Sequence, residues 1–121
     1  MTMHFNEIPE FSKELKQLSK KYLSLAEDLD EFKKVVAVIP LGTGKHFNVI
    51  ARGSGAIIIK ARLFCRYLKG SSLRIIYSYI QGGNTIEFIE LYFKGNKENE
   101  DRERIKYYLS AKAKEARSQP L

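Results

Sequence analysis

The sequence predicts an α+β fold: an N-terminal helical hairpin packed on a four-stranded, mostly antiparallel β-sheet, with a C-terminal helix. Two early segments repeat apolar residues at helical spacing, three later segments are strand-like and joined by hairpin turns, and the last segment is again helical. A chain of 121 residues is long enough for one core but too short for two. We therefore assign residues 1–121 to a single domain, with 114–121 as a disordered tail.

The first strand and two helices can be placed from local patterns. The segment MHFNEI is typical of a short strand that ends before Pro9. After it, apolar residues spaced by four, three and four positions form one stripe of a helix: Phe11, Leu15, Leu18 and Tyr22. A second helix should begin after Ser24, which with Glu27 has the spacing of a capping box, and should end before Pro40.

The middle of the chain predicts the sheet. A Gly-rich connection can hold a short strand at 47–50, and longer strands are expected at 56–68, 73–80 and 85–93. The segments KGSS and QGGN are typical of hairpin turns, so these strands should form an antiparallel meander. The final helix should run to about Ala113. Its apolar side would carry Ile105, Tyr108 and Leu109.

One predicted strand, IIIKARLFCRYLKG, carries positive charges at even spacing. Lys60, Arg62 and Arg66 are two and four residues apart. Residues separated by even numbers share a face of a strand, so these cations should point the same way, with Phe64 between them. The other face would hold Ile59, Ala61, Leu63, Cys65 and Tyr67. Because the two helices cover one side of the sheet, the charged side is expected to be open to solvent or a ligand.

Arg74 on the next strand joins this face if apolar residues pair with apolar residues. In SSLRIIYSYI the more apolar set is Leu73, Ile75, Tyr77 and Tyr79. Matching that set to the preceding strand requires an odd-numbered loop, which a bulge at Gly70 would supply. An even-numbered loop would put Arg74 in the core at a much larger free-energy cost, so we favour the bulged register.

Charge and composition limit the partners. The net charge of +7 favours a polyanionic partner: a nucleic acid, an acidic protein or an anionic membrane surface. Cys65 is the only cysteine, which excludes a disulfide framework and a Cys-rich zinc site. We expect no cofactor and no metal. The sequence shows neither a signal-peptide pattern nor an apolar stretch of membrane-spanning length, so we expect a cytoplasmic protein with no membrane partner.

A rigid sheet with closely spaced lysines and arginines can bind phosphates, since arginine donates a planar fork to two oxygens. Phe64 and nearby tyrosines such as Tyr92 could stack on unpaired bases, as in proteins that bind single-stranded RNA. The alternative is a solvated antiparallel sheet that binds nothing.

Four segments, taken in order, resemble the RelE/ParE superfamily of type II toxin–antitoxin toxins: EFSKELKQLSKKY, IIIKARL, SLRIIYSY and IEFIELYFKGNKENED. The resemblance extends from Phe5 to about Leu109. It implies a small basic toxin that a cognate antitoxin blocks. RelE-like members enter the ribosomal A site and cut messenger RNA, whereas ParE-like members poison DNA gyrase.

The resemblance also implies roles for individual residues. Arg74 matches the arginine of the RelE-like strand YRLVY, which contacts the scissile phosphate. Lys60 and Arg62 fall near paired lysines on the preceding strand. Lys94 falls near the strand end where relatives place a histidine, lysine or arginine that acts in protonation or charge stabilisation. The tyrosine and terminal histidine that some relatives use have no clear counterpart here.

Metal-free RNA cleavage also needs a base for the 2′-hydroxyl proton and an acid for the leaving 5′-oxygen. His46 is one candidate base, because histidine titrates close to neutral pH, and a lysine among other cations is another. Glu90 would share a face with Tyr92 and Lys94, where it could act in catalysis or form a salt bridge that neutralises the sheet. We favour the salt bridge.

The sequence and the resemblance together predict a RelE-like toxin that cuts ribosome-bound messenger RNA without a metal. Its partners would be a cognate antitoxin and ribosome-bound mRNA, with no small-molecule cofactor. The predicted catalytic residues are Arg74, Arg62, Lys60, Lys94 and His46, and the predicted RNA-binding residues add Arg66, Tyr92 and Phe64. Two alternatives stay open: a ParE-like inhibitor of DNA gyrase, and a degenerate member that binds RNA without cutting it.

Overall fold

The computed structural model describes residues 2–69 and 72–118. The elements in chain order are β1 (His4–Glu7), α1 (Pro9–Lys21), α2 (Leu25–Val38), β2 (Phe47–Gly53), β3 (Ala56–Phe64), β4 (Ser72–Ile80), β5 (Thr85–Phe93) and α3 (Arg102–Ser118). The strands form one sheet in the order β1-β5-β4-β3-β2.

The sheet has five strands, so the predicted number of four is wrong. Strands β2 to β5 form the expected antiparallel meander, and β1 adds to its far edge parallel to β5. Phe5 of β1 stacks on Phe88 of β5, with ring centroids 6.0 Å apart, which explains why so short a strand is held in the sheet. The other edge strand, β2, continues three residues past its predicted end.

Helices α1 and α2 pack on one face of the sheet, as predicted. The main core contains Phe11, Leu25, Leu29, Phe32 and Val36 from the helices, and Ile57, Ile59, Ala61, Leu63, Leu73, Ile75 and Tyr77 from β3 and β4. The two predicted faces of β3 and the register of β3 with β4 are confirmed, because Leu63 pairs with Leu73 and Arg62 with Arg74. The predicted bulge at Gly70 lies outside the described residues.

Strand β3 ends at Phe64, four residues before the predicted end. The backbone N–H of Arg66 donates to Asp28, and that of Tyr67 donates to the hydroxyl of Ser24. The acceptors are Asp28, on α2, and Ser24, which precedes α2. The two backbone amides are therefore not available to pair with a neighbouring strand. Tyr67 was predicted to face the core and is instead 56% exposed in a turn.

The predicted capping box at the start of α2 is also wrong. Ser24 has helical backbone angles, and its side chain makes no capping hydrogen bond. Its hydroxyl instead donates to Asp28 at 2.7 Å and accepts from the Tyr67 amide at 3.2 Å. The serine therefore joins α2 to the turn after β3.

Helix α3 packs on the opposite face of the sheet, so that face is only partly open. A second apolar cluster joins the sheet to Ile105 and Tyr108 of α3; its sheet residues are Ile58, Ile76, Ile89 and Tyr92. Leu109 packs against this cluster, so the predicted apolar side of α3 is confirmed. The helix extends to Ser118, so residues 114–118 are helical rather than a disordered tail; 119–121 lie outside the described residues. No helix in the described part of the chain has the length and apolar character needed to cross a membrane.

The start of α3 is fixed by polar contacts. Asp101 accepts a hydrogen bond from the backbone N–H of Arg104 at 3.0 Å, as an N-capping residue does. The Arg104 guanidinium donates to both carboxylate oxygens of Glu14 on α1, at 3.0 and 2.9 Å, and to the carbonyl of Ile89. These contacts hold α3 over one end of the sheet and leave the other end uncovered.

Candidate nucleic-acid interface

A groove of about 820 Å³ opens at the end of the sheet that α3 leaves uncovered. We call it the basic groove. It is lined by Arg62, Phe64, Cys65, Arg66, Leu68, Lys69, Ser72, Arg74, Phe93, Lys94 and Gly95. Five of these described lining residues are lysine or arginine, and none is aspartate or glutamate. The groove therefore has the charge of an anion-binding surface.

Two arginines lie side by side in the basic groove. Arg62 on β3 and Arg74 on β4 are direct cross-strand partners. Like charges in this position repel each other, so an anion placed between them would lower the free energy of the sheet. Arg74 Nη1 donates to Ser72 Oγ at 2.9 Å, whereas the exposed guanidinium of Arg62 makes no ion pair within the described ranges. Both side chains keep donors for phosphate oxygens.

Two lysines extend the positive charge of the groove. Lys94 follows the end of β5, and its exposed ammonium makes no ion pair with any residue that the structure describes. Lys69 is also exposed and precedes β4. Lys94 was predicted at this end of the sheet, but Lys69 was not, since its only signal is that it is the first residue of the predicted turn KGSS.

Arg66 lines the groove from a turn instead of from β3, and its charge is compensated. Its guanidinium bonds to Glu27 at 2.6 Å and to Asp28 at 3.0 Å, both on α2. The hydrogen bond to Glu27 makes the largest contribution to raising the pKa of Arg66 above its usual value, and the hydrogen bond to Asp28 makes the next largest. The prediction that Arg66 continues the open face of β3 is wrong, because the strand has ended before it.

We expect Asp28→Asn to weaken the link between α2 and the turn that carries Arg66. Burial raises the pKa of Asp28, but hydrogen bonds from Ser24 and Arg66 outweigh it, and the pKa is lowered overall. A pKa that is lower in the folded state contributes stability above pH of about 4, which is lost as pH falls through the folded-state value. The variant should lose about 1–2 kcal/mol of unfolding free energy at pH 7.

Urea denaturation between pH 7 and pH 2.5 measures this effect. The stability of Asp28→Asn should depend less on pH below about 4 than that of the parent protein. Asp30→Asn, which changes an exposed carboxylate on the same helix, is the matched control and should follow the parent curve. Parallel acid curves for Asp28→Asn and the parent would show that the carboxylate does not stabilise the turn.

Lys60 lies next to the groove but does not line it. Its ammonium donates to Glu100 at 2.8 Å. Burial lowers the pKa of Lys60. The hydrogen bond to Glu100 and the nearby Tyr92 phenol together raise the pKa by more than burial lowers it, so the net shift is upward. Lys60 is therefore unsuited to act as a base. Glu100 was not identified from the sequence, because it lies forty residues after Lys60.

Tyr92 pairs with Arg74 across the sheet, but only 5% of its surface is exposed. The Lys97 ammonium lies 5.4 Å from the ring centroid. Burial raises the pKa of the Tyr92 hydroxyl, and the nearby Lys60 ammonium lowers it by less. With so little ring surface exposed, Tyr92 is poorly placed to stack on a base. Phe64, at 63% exposed, presents the ring that RNA could reach.

His46 lies at the margin of the groove. Its ring meets Phe64 edge-on, with centroids 5.6 Å apart, and its carbonyl accepts a hydrogen bond from the Arg62 backbone N–H. Its Nδ1 atom is buried with no hydrogen-bond partner in the described part of the structure. The structure thus brings His46 close to Phe64 and Arg62 but does not include it among the residues that line the basic groove.

The strand carboxylates are used in ion pairs, as the favoured interpretation of Glu90 predicted. Glu90 is fully buried, pairs with Lys97 rather than Lys94, and accepts a hydrogen bond from the Asp101 amide at 2.8 Å. Glu87 forms an ion pair with Lys112 at 3.3 Å and accepts a hydrogen bond from the Tyr108 hydroxyl at 2.6 Å. Neither carboxylate lines the groove. Within residues 2–69 and 72–118 there is no cluster of three or more His, Cys, Asp or Glu side chains of the kind that binds a metal.

The fold of this chain resembles that of a solved structure, whereas the comparisons of sequence found no match. No protein-family model and no curated protein sequence matches this chain. Its fold is similar to a chain in the crystal structure of the archaeal RelE–RelB complex from Pyrococcus horikoshii OT3, with a TM-score of 0.59 and 22% sequence identity. The alignment covers 78% of this chain and 98% of the other. The chain thus has a RelE-like α+β fold.

Proposed function

We propose that this chain is the toxin of a type II toxin–antitoxin system and that it is a ribosome-dependent, metal-independent mRNA endoribonuclease. The basic groove carries the proposal, because its described lining has five cations and no carboxylate. The RelE-like fold supports the same class, since the similar chain comes from a RelE–RelB complex.

The groove fits the backbone of a single RNA strand. Arg62 and Arg74 are adjacent and can share one phosphate, each through its guanidinium fork. Lys94 can neutralise a neighbouring phosphate, and the exposed ring of Phe64 can stack on an unpaired base. The net charge of +7 would speed the approach to RNA at low salt.

The proposed reaction uses these groups as follows. The ribose 2′-hydroxyl attacks the adjacent phosphorus, a P–O2′ bond forms, and the P–O5′ bond breaks to leave a 2′,3′-cyclic phosphate and a 5′-hydroxyl. Arg62 and Arg74 offset the negative charge that develops on the phosphate oxygens. Lys94 is our candidate to protonate the leaving 5′-oxygen. His46, next to Phe64, is our candidate to take the 2′-hydroxyl proton.

Induction of the chain in a cell should separate this function from gyrase inhibition. We expect translation to stop and primer extension on a translated message to show cuts at A-site positions. Co-expression of a short acidic protein encoded beside this gene should restore growth, and the two chains should purify together. A DNA-damage response with intact transcripts would favour a ParE-like protein. Normal growth, with the chain recovered as a free monomer, would contradict a toxin role.

One observation favours a second candidate, a protein that binds RNA without cutting it. The described lining of the basic groove contains no carboxylate and no imidazole, the usual groups for general base catalysis. A purified chain that binds RNA with strong salt dependence but produces no cuts on translating ribosomes would support this candidate.

A further inference from the structure

A second pocket of about 270 Å³ lies beside the basic groove, where α2 meets β2 and β3. We call it the aromatic pocket. Its lining residues are Asp28, Glu31, Phe32, Val35, His46, Phe47, Arg62, Leu63 and Phe64. Four of the nine carry aromatic rings. Its function is not accounted for by phosphate binding in the groove.

The rings and the volume favour a small flat ligand. Phe32 and Phe47 are nearly parallel, with centroids 6.1 Å apart, and His46 meets Phe64 edge-on at 5.6 Å. Pockets for drug-sized ligands are roughly 300–1,000 Å³, so this one suits a somewhat smaller group such as a single nucleobase. Phe32 is only 7% exposed and belongs to the main core, so the exposed ring of Phe64 is the surface of this pocket on which an unpaired base would pack.

The aromatic pocket is continuous with the basic groove. Arg62 and Phe64 line both of them. A nucleotide whose phosphate is bound by Arg62 therefore has the aromatic pocket within reach of its base. This shared lining is the reason to consider RNA, rather than an unrelated small molecule, as the occupant.

The polar groups of the pocket favour a base with an amino group. Asp28 is committed to Ser24 and Arg66, which leaves Glu31 as the available carboxylate. Glu31 is exposed, and its one ion pair among the described residues is with Lys34 of its own helix, an interaction that solvent makes weak. Its carboxylate can accept a hydrogen bond from an exocyclic amino group.

We propose that the aromatic pocket binds one base of single-stranded RNA and prefers adenine, cytosine or guanine, which carry exocyclic amino groups, over uracil. The inference rests on the proposed function, because it assumes that an RNA phosphate occupies the basic groove. It adds the part of the molecule that would select the base.

Fluorescence anisotropy with the full chain at low salt tests the proposal. The probes are labelled 2′-O-methyl hexanucleotides of adenine, cytosine or uracil, whose blocked 2′-oxygen prevents cleavage, and an abasic hexamer. The parent protein should bind the adenine and cytosine probes about tenfold more tightly than the uracil probe, the effect of one good hydrogen bond. Glu31→Gln should reduce this preference to about twofold and leave uracil binding unchanged.

A pocket-filling variant and two controls complete the design. Val35→Phe should lower binding of the adenine and cytosine probes to the level of the abasic hexamer. Glu10→Gln, a matched change of an exposed carboxylate on α1, should preserve the preference. Arg62→Ala should weaken binding of every probe, because it removes a phosphate contact that all of them share.

Each contrary result has a distinct meaning. Equal binding of all bases, unchanged by Glu31→Gln and Val35→Phe, would overturn the aromatic pocket as a base site. The proposed function would stand if Arg62→Ala still weakened every probe. If the parent protein bound no probe even at low salt, both proposals would fail. Val35→Phe could also lose binding to a co-purified antitoxin while it binds every probe as the parent does. That result would show that the pocket binds a side chain of the antitoxin, and it would overturn the base site.

Discussion

Leu63→Ala should lower the free energy of unfolding by about 2–5 kcal/mol. The Leu63 side chain is 1% exposed, belongs to the main core and pairs with Leu73 on β4. Pairing with β4 at Leu63 itself and with β2 as far as Ala61 keeps the backbone in place, so the cavity left by the missing atoms cannot fully close. Urea denaturation measures the loss, and toxicity should fall only as far as the protein unfolds.

Arg62→Ala is the matched control for this experiment, because residue 62 precedes Leu63 and faces the other way. The exposed arginine makes no ion pair in the described ranges, so its removal should change stability by no more than about 0.5 kcal/mol. If Arg62→Ala unfolded the protein and Leu63→Ala did not, the two faces of β3 would be assigned the wrong way round.

Arg74→Ala should reduce the rate of mRNA cleavage roughly a hundredfold or more, which corresponds to about 3 kcal/mol of transition-state stabilisation. Arg74 lies opposite Arg62 in the basic groove, where its guanidinium can contact the phosphate oxygens as charge develops. Cleavage on translating ribosomes and a thermal melt of the same preparation are the two measurements. The melt should show a folded protein with little change in stability.

Two further variants make the Arg74 result specific. Arg74→Lys keeps the charge but loses the planar fork, so its rate should fall between those of the parent and the alanine variant. Arg52→Ala removes an exposed arginine on β2 that does not line the groove, and should leave the rate unchanged. If folded Arg74→Ala and Arg62→Ala proteins were fully toxic, the basic groove would not be the active site.

Local patterns were sufficient to predict the two faces of β3 and its pairing with β4. The alternation of Lys60, Ala61, Arg62 and Leu63 identifies the buried side, because a strand places successive side chains on opposite faces. The register then follows from the high cost of burying Arg74. The apolar side of α3 was predictable for the same kind of reason, since helical spacing alone brings Ile105, Tyr108 and Leu109 together.

The partners of the cations could not be predicted, because they come from distant parts of the chain. Lys60 bonds to Glu100, forty residues later, and Arg66 bonds to Asp28, thirty-eight residues earlier. No local pattern fixes such contacts, which depend on how the helices and loops pack on the sheet. The aromatic pocket was missed for the same reason, because its lining comes from three elements, α2, β2 and β3, that only the fold brings together.

The division of β3 into two faces has a consequence for genetic suppression. At the end of this strand Ala61 and Leu63 contribute to the core whereas Arg62 and Phe64 line the groove, so loss-of-function alleles at these neighbouring codons should belong to two classes. A stabilising substitution elsewhere in the protein would largely restore Leu63→Ala, because the main loss in that allele is free energy of folding. The same suppressor would not restore Arg62→Ala, which folds but lacks a charge that no gain in stability can replace.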